Sequence, residues 1–441
     1  MTDSSQSNKA RTTASGAAEI NPKMSAKTAL FWDESFLWGL IAYKTLSAVG
    51  ADFDLVTAAD IRDGALDSYE ILFVPGGWAS NKIKALRPDG VERVRSFVKN
   101  GGSYLGFCGG AGLALAHENG LALAPIGRKP TNMRVPSFSG KIKLRELASK
   151  HPMWDGIAEG SSFYAWWPGM FSVQEIDGIK TLARYGEPEE GSYVADLVVG
   201  PSVDWEKHEK EYRTNLNPAR IQGEPAVIET TYGAGRVLLS YLHFETPEDS
   251  LGHTVLLNML SYLGAGKNRL SKKHTLDSQA KAAPSPVTGD SAKAVTAARA
   301  LEAAALDLIG FGEKLGLWFW RKPWIIQWQR GVRGIEYCTL YIMLRKLSEL
   351  VAEQTDDDID LGSALEETYP QVLSFTGDAK KLLELEERAI GQGYITPLKS
   401  DDPEIQALRE KLFSNTKSFG GSFKDILDKI DALVLALLRG R

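Results

Sequence analysis

The sequence predicts an α/β fold, a doubly wound and mostly parallel sheet, followed by an all-α helical domain. Three observations carry this. Between Thr28 and Phe107, apolar runs of strand length alternate with helix-length segments, the pattern of a parallel sheet covered on both faces. From Lys267 the composition shifts to KNRLSKKHTLDSQAKAAPSPVTGDS, polar, Pro- and Ser-bearing and without periodicity. Beyond it, apolar residues recur at three- and four-residue spacing, as Phe423, Ile426, Ile430, Leu433, Val434 and Leu437 do.

Taken in order, TALFWD (28–33) reads as a strand and ESFLWGLIAYKTLSAVG (34–50) as a helix that Gly50 is placed to end. FDLVTAAD (53–60) and YEILFVPGG (69–77) read as further strands. A helix follows Pro88, with Val91, Val94, Phe97 and Val98 on one face, and a strand leads into Cys108. Residues 130–225 read as inserted strands and loops, including the aromatic FYAWWPGMF, the acidic turn EPEEG and the charged DWEKHEKEYR. PAVIETTYGAGRVLLSYLHF then reads as two strands joined by a Gly-containing turn, and LGHTVLLNMLSYLG as a helix. The expected division is a disordered tail at 1–25, an α/β domain at 26–266, a flexible linker at 267–293 and a helical bundle at 294–441.

Composition narrows the classes. With 441 residues, two to three domains are expected, and an apolar content of 43% suffices for packed cores. A net charge of −5, from 51 basic and 56 acidic side chains, gives no global pull toward nucleic acid. The two cysteines, Cys108 and Cys338, share no regular spacing, so neither a disulfide framework nor a zinc site is expected. The histidines likewise show no metal-ligand spacing, and no metal or cofactor is proposed. The first 24 residues lack the apolar core of a secretory signal, and no run reaches the roughly 18 apolar residues that span a bilayer. The default compartment is the cytoplasm.

The most informative string is SYLGFCGGAGLALA, where an apolar run ends on Cys108 amid Gly106, Gly109 and Gly110, and a helix-like run follows at once. A residue on a sharp strand-to-helix turn needs small neighbours, and such a turn presents its side chain outward as a nucleophile elbow does. The helix behind it aims its amino-terminal dipole at the sulfur and favours thiolate over thiol. In open sheets, sites form at the carboxyl ends of strands, where the PGG loop at 75–77 and Cys108 both fall. Far along the chain, His243 and Glu245 end an apolar run, so a cysteine, a base and an orienting acid are all available. Strand alternation puts both on one face. The acid therefore orients the base only if the chain turns, as the following TPED allows.

The PGG loop, GFCGG around Cys108 and HFE at 243–245 together resemble the class I glutamine amidotransferase-like superfamily, whose fold is flavodoxin-like. HPMWDGI, FYAWWPGMF and YGAGRVLLSYLHFE resemble one branch of it, the amino-terminal-domain family of biotin–protein ligase. The resemblance covers roughly residues 26–265 and not the helical part. It implies that Cys108 is a nucleophile, His243 its general base and Glu245 the group that fixes the imidazole. It also implies an oxyanion hole built from the backbone amides of Gly109 and of Gly77 or Trp78. Two departures bear on the substrate: Gly112 stands where glutaminases carry a glutamine four residues after the cysteine, and HFE replaces HPE. The first points away from glutamine.

Other candidates surround these. Asp33 and Glu34, after the first strand, offer an acid to the thiol, although capping by Asp33 of the helix that follows explains it equally. Tyr164, Trp166 and Trp167 would line a substrate pocket that selects an apolar or planar group, or else pack back on the sheet. In KLGLWFWRKPWIIQWQRGVR, Trp318, Trp320, Trp324 and Trp328 interleave with basic residues. Pro323 would start a helix whose tryptophans fill the bundle core, or the segment would serve a protein partner or a membrane surface. Cys338 lies in a helical pattern and reads as core. The sequence therefore supports a cytoplasmic Cys-His-Glu hydrolase or amidase acting on a small-molecule or peptide-like amide or ester. The alternative is a catalytically inactive ligand- or protein-binding module whose helical domain recruits a partner or membrane surface.

Overall fold

The computed structural model describes residues 26–173, 178–265, 289–354, 361–393 and 396–440. The expected tail at 1–25 and all but the last residues of the expected linker lie outside them. The first region runs β1 (Thr28–Phe31), α1 (Phe36–Ala48), β2 (Phe53–Val56), α2 (Ala58–Arg62), β3 (Ile71–Val74), α3 (Ala79–Lys99), β4 (Ser103–Phe107) and α4 (Gly109–Ala114). The middle stretch adds β5 (Gly127–Arg128), β6 (Phe138–Arg145), β7 (Ser162–Trp166), β8 (Phe171–Ser172), β9 (Lys180–Pro188), β10 (Tyr193–Val194), β11 (Leu197–Val198) and α5 (Trp205–Tyr212). The α/β part ends with β12 (Pro225–Tyr232), β13 (Gly235–Ser240) and α6 (Ser250–Gly264).

Among the described residues, one 11-stranded sheet has the order β11-β10-β6-β9-β12-β13-β4-β3-β1-β2, with β7 on β6. Pairing is parallel from β2 through β1, β3 and β4 to β13, and antiparallel beyond. Ile71–Val74 and Ser103–Phe107 are buried throughout, as strands covered on both faces must be. The loops after β1, β3, β4 and β13 therefore open at one end of the sheet. Two local expectations change. The strand beginning at Phe53 stops at Val56, because Thr57 and Asp60 form a capping box that starts α2. The helix that includes Pro88 begins earlier, at Ala79, with a break at Arg87 (φ 59°, ψ 171°) that gives Pro88 the first position of the second half.

The second region contains α7 (Gly289–Lys314), β14 (Trp318–Lys322), β15 (Ile325–Trp328), α8 (Gly334–Ala352), α9 (Leu361–Gln392), α10 (Pro403–Phe413) and α11 (Gly421–Arg439). Helix α7 packs on α8 and α9, and α11 packs on α8, α9 and α10. The Trp/Arg-rich segment is not a helix. It forms the antiparallel hairpin β14-β15, so the region is helical with one hairpin. Its aromatic and β-branched residues favour strand, and Pro323 sits in the connection, where no ladder amide is needed. Trp318 and Trp324 are buried. Arg321 donates to the carbonyls of Ser139 (3.0 Å) and Gly191 (3.1 Å), and Gln327 donates to that of Ala195 (2.5 Å), which ties the hairpin to β6 and the β10 edge.

The two regions share an apolar core. The first two turns of α1, Phe36–Ala42, are apolar on all sides and buried throughout, which requires cover on all sides. Ala42 and Leu46 face the sheet core, whereas Phe36, Leu37, Leu40 and Ile41 join the core of the helical region, as do Trp32, Trp38 and Trp166. Cys338 is fully buried there. No helix among the described residues is long and apolar enough to cross a membrane. If α1 is covered in this way, Leu37→Asp strands a carboxylate in apolar surroundings and costs about 3 kcal/mol or more, read as a lowered urea midpoint. A change within about 0.5 kcal/mol, the range of exposed positions, would show the outer face of α1 to be free.

Candidate functional site

Cys108 occupies the turn from β4 to α4 with φ 49° and ψ −105°, a backbone conformation that L residues with a Cβ adopt only under constraint. The constraint is visible. A Cβ on Gly109 would overlap the Gly77 carbonyl oxygen, and one on Gly110 would overlap that of Val74. Only glycines let the turn close on the loop after β3. Gly77 has φ 109°. The Cys108 amide donates to the Ser240 carbonyl (2.8 Å), which joins the turn to the end of β13. Cys108 and Gly109 are half-buried, as are Gly77 and Trp78. The Gly109 amide lies in the first turn of α4, where no intrahelical acceptor exists.

β13 ends at Ser240, and the chain turns immediately, with the Thr246 amide donating to the His243 carbonyl (3.1 Å). That turn lets Glu245 reach back, so that its Oε1 lies 2.8 Å from Nδ1 of His243. Both side chains are buried. The His243 amide donates to the Tyr164 carbonyl (2.9 Å) on β7, and Thr45 of α1 donates to the Glu245 carbonyl (2.7 Å). The Trp38 ring lies over the imidazole, with centroids 4.5 Å apart. The remaining ring nitrogen, Nε2, is buried without an aligned hydrogen bond. Its neighbour is the Cys108 thiol. Burial disfavours the imidazolium, but the Glu245 carboxylate and negative charge on the Cys108 sulfur outweigh burial and raise His243 to about 10. The arrangement can move a proton between sulfur and imidazole and hold the resulting positive charge.

The other expected residues divide. Asp33 does not reach the thiol, nor does it cap α1; its Oδ2 accepts from the Ala58 amide (2.8 Å) and so caps α2. Glu34 (φ 59°) pairs with Lys424 of α11 (2.8 Å) and accepts from Asn81 (3.2 Å). Tyr164 and Trp167 are half-buried. Trp166 is 1% exposed, bonded through Nε1 to Thr246 (3.1 Å) and edge-on to Trp324, so it packs between the regions and lines no open surface. Trp320 and Trp328 are half-buried. Among the described residues, no group of three or more His, Cys, Asp or Glu side chains is placed to hold a metal ion.

Two residues at the site carry no sequence signal as site residues. Lys82, in the first turn of α3, is fully buried and donates to Ser35 Oγ (2.5 Å) and the Asp33 carbonyl (3.3 Å). Burial lowers its amine to about 7 against the pull of Glu34, Asp33, Asp431 and Cys108. Asp431 of α11 faces the same group of charges, and burial raises its carboxyl well above the usual range. Trp38 is the third omission, although the all-apolar FLWGLIAY announces that its helix is covered.

Residues 61–117, from within α2 to beyond Cys108, match the family described as biotin-protein ligase, N terminal. Solved structures similar to the chain include a protein of Thermoplasma acidophilum assigned to GMP synthase. It is 16% identical, over 54% of this chain and 94% of that one, with a TM-score of 0.33. A cytoplasmic protein of Salmonella typhimurium LT2 is 14% identical over 54% and 99%, with a TM-score of 0.34. A β-galactosidase of Bacillus circulans sp. alkalophilus is 15% identical over 55% of this chain but only 31% of its own, with a TM-score of 0.35. No curated protein matches the chain. Over residues 61–117 the chain resembles the biotin–protein ligase amino-terminal family.

The raised imidazole has a linkage consequence. Its unfolded value is near 6.5 and its folded value about 10, so the stability it contributes is complete below pH 6.5 and is lost as pH rises toward 10. Between pH 6.5 and 10 the urea midpoint of the native chain should therefore fall more steeply than that of Glu245→Gln. Parallel profiles would mean that the carboxylate does not hold the imidazolium.

Proposed function

We propose that the protein is a cysteine-dependent hydrolase or amidase in which Cys108 is the nucleophile, His243 the general base and Glu245 the group that orients the imidazole. The observation that carries this is the Cys108 turn, held at positive φ beside a buried His243–Glu245 pair. The Cys108 sulfur attacks the carbonyl carbon of an amide or ester as a thiolate, its proton already taken up by the imidazole that Glu245 keeps charged. The tetrahedral oxyanion is held by the amide of Gly109 and that of Gly77 or Trp78, and one lost donor of this kind costs roughly 3 to 4 kcal/mol. His243 returns the proton to the departing amine or alcohol, which leaves a thioester. Water then gives a proton to His243 and attacks the thioester, and the acid is released with the thiol restored.

Glutamine is not the expected substrate. A Cβ at Gly112 would meet only the Ala79 Cβ, at 3.9 Å, so the backbone does not demand glycine there. The position therefore admits a Cβ, yet the sequence does not supply there the side chain that glutaminases carry.

The second reading is a non-catalytic binding module. Gly112 favours it, and so does the cover that the helical region places over Glu34 and Lys82 through Lys424 and Asp431. On this reading the helical region carries the biological role by engaging a protein partner or a membrane surface. Leu306, Phe319, Tyr369 and Leu373 are the large apolar side chains it exposes among the described residues.

An activated-ester screen separates the two. Turnover with a burst of one leaving group per chain is expected, and Cys108→Ser should lower it by about three orders of magnitude with the fold intact. A thiol inert to alkylation in the native chain, or turnover that survives Cys108→Ser, would overturn the hydrolase reading and leave the binding module.

A further inference from the structure

A lysine is almost never fully buried unless something holds its amine. The amine of Lys82 is held by the loop after β1: it donates to Ser35 Oγ (2.5 Å) and to the Asp33 carbonyl (3.3 Å), and Ser35 Oγ donates onward to the Phe31 carbonyl (2.9 Å). Either charge state of the amine has the two N–H groups that these acceptors need. The loop is strained, with Glu34 at φ 59° and Phe36 at φ 44°, backbone that side chains with a Cβ hold only where their surroundings fix it. The same lysine meets the loop after β3. Its backbone amide donates to the Trp78 carbonyl (3.0 Å), and its stem lies against Gly77, where a Cβ would come within 3.3 Å of Lys82 Cε and would overlap the Glu34 carbonyl oxygen. Gly77 in turn stands against Gly109, whose own Cβ would overlap the Gly77 carbonyl. Contact therefore runs without a break from the Lys82 stem and the Glu34 carbonyl, through Gly77, to the residue after the thiol.

We propose that Lys82 is a positioning residue of the oxyanion hole: by fixing the strained loop after β1 as the floor beneath Gly77, it sets the amides of Gly77 and Trp78 in place beside that of Gly109. This role rests on the hydrolase reading, because an oxyanion hole acts only where a carbonyl is attacked. The lysine works through Gly77 and touches no substrate. Donors set for an oxyanion speed only the reactions that make one, whereas a residue that ionises the thiol changes every reaction of Cys108 alike. Asn81 and Lys424 hold the Glu34 side chain independently, so the loop keeps those ties when the amine is removed.

The test compares two reactions of Cys108 in the full chain: the burst with p-nitrophenyl acetate, which passes through an oxyanion, and alkylation by iodoacetamide, which displaces iodide and makes none. Mass spectrometry follows Cys108, with Cys338 as the internal control, because burial pushes its thiol up to about 12. In Lys82→Met, which keeps a buried stem and loses the amine, the maximal burst rate should fall about tenfold. The ester concentration at half-maximal rate and the alkylation rate should each stay within about twofold of native, the split expected when a contact made only in the transition state is misplaced. Ser35→Ala, which removes an acceptor of the amine, should show the same split, and the double variant should be no slower than the slower single one, because both break one bond. Circular dichroism checks the fold of each, and Ser35→Ala decides if Lys82→Met does not fold. A burst rate unchanged in the folded variants, or burst and alkylation rates that fall together, would overturn the positioning role and leave the hydrolase reading standing. A native chain that is alkylated at Cys108 yet gives no burst would overturn the hydrolase reading and this role with it.

Discussion

The site depends on one backbone arrangement: β13 runs parallel to β4, in a register that pairs Ser240 with Phe107. Because the two strands end level, the next residue on β4, Cys108, donates its amide to Ser240, and the chain leaving β13 turns within reach of the sulfur. A one-residue slip would reverse the faces of every β13 side chain and carry His243 away. The rest follows from closeness. The loop after β3 must pass directly beneath the turn, which only the glycines permit, and the imidazole finds its acid only two residues on, across the turn that follows the strand.

The same closeness explains why the site is built from two regions. Helix α1 supplies Trp38 to the imidazole and Thr45 to the acid's backbone, and its opposite face is as apolar as the one toward the sheet. Covering that face brings α8, α11 and the hairpin alongside the loops that carry the thiol. Cover for the core and enclosure of the site are one event. The buried ionisable groups Lys82 and Asp431 lie where those surfaces meet, together with Asp33 and Glu34, so part of the local electrostatics belongs to neither region alone.

How much of this is legible in the chain varies with how local its cause is. The Cys108 turn is legible because its glycines are adjacent to it in sequence. The His243–Glu245 pair is legible as residue types, whereas the bond between them needs the turn that follows Ser240. The hairpin is harder: WFWRKPWIIQW fits both a helix with a proline near its start and two strands about a turn, and the choice depends on Arg321 and Gln327 finding β6 and the β10 edge. Asp33 reads as a cap for its own helix and serves α2, because the acceptor it offers is nearer to Ala58 across the sheet end. Lys82 is the least legible, since a lysine in a first helical turn looks solvated until the elements packed against it are known.

The two apolar faces of α1 also have a meaning in time. On a ribosome the α/β region is complete long before α8 and α11 emerge, and at ordinary synthesis speeds the interval is on the order of tens of seconds. Throughout it, Phe36, Leu37, Leu40 and Ile41 have no partner, and the nascent chain presents a sticky helix next to a naked thiol. That face is closed only when the chain's own later helices arrive.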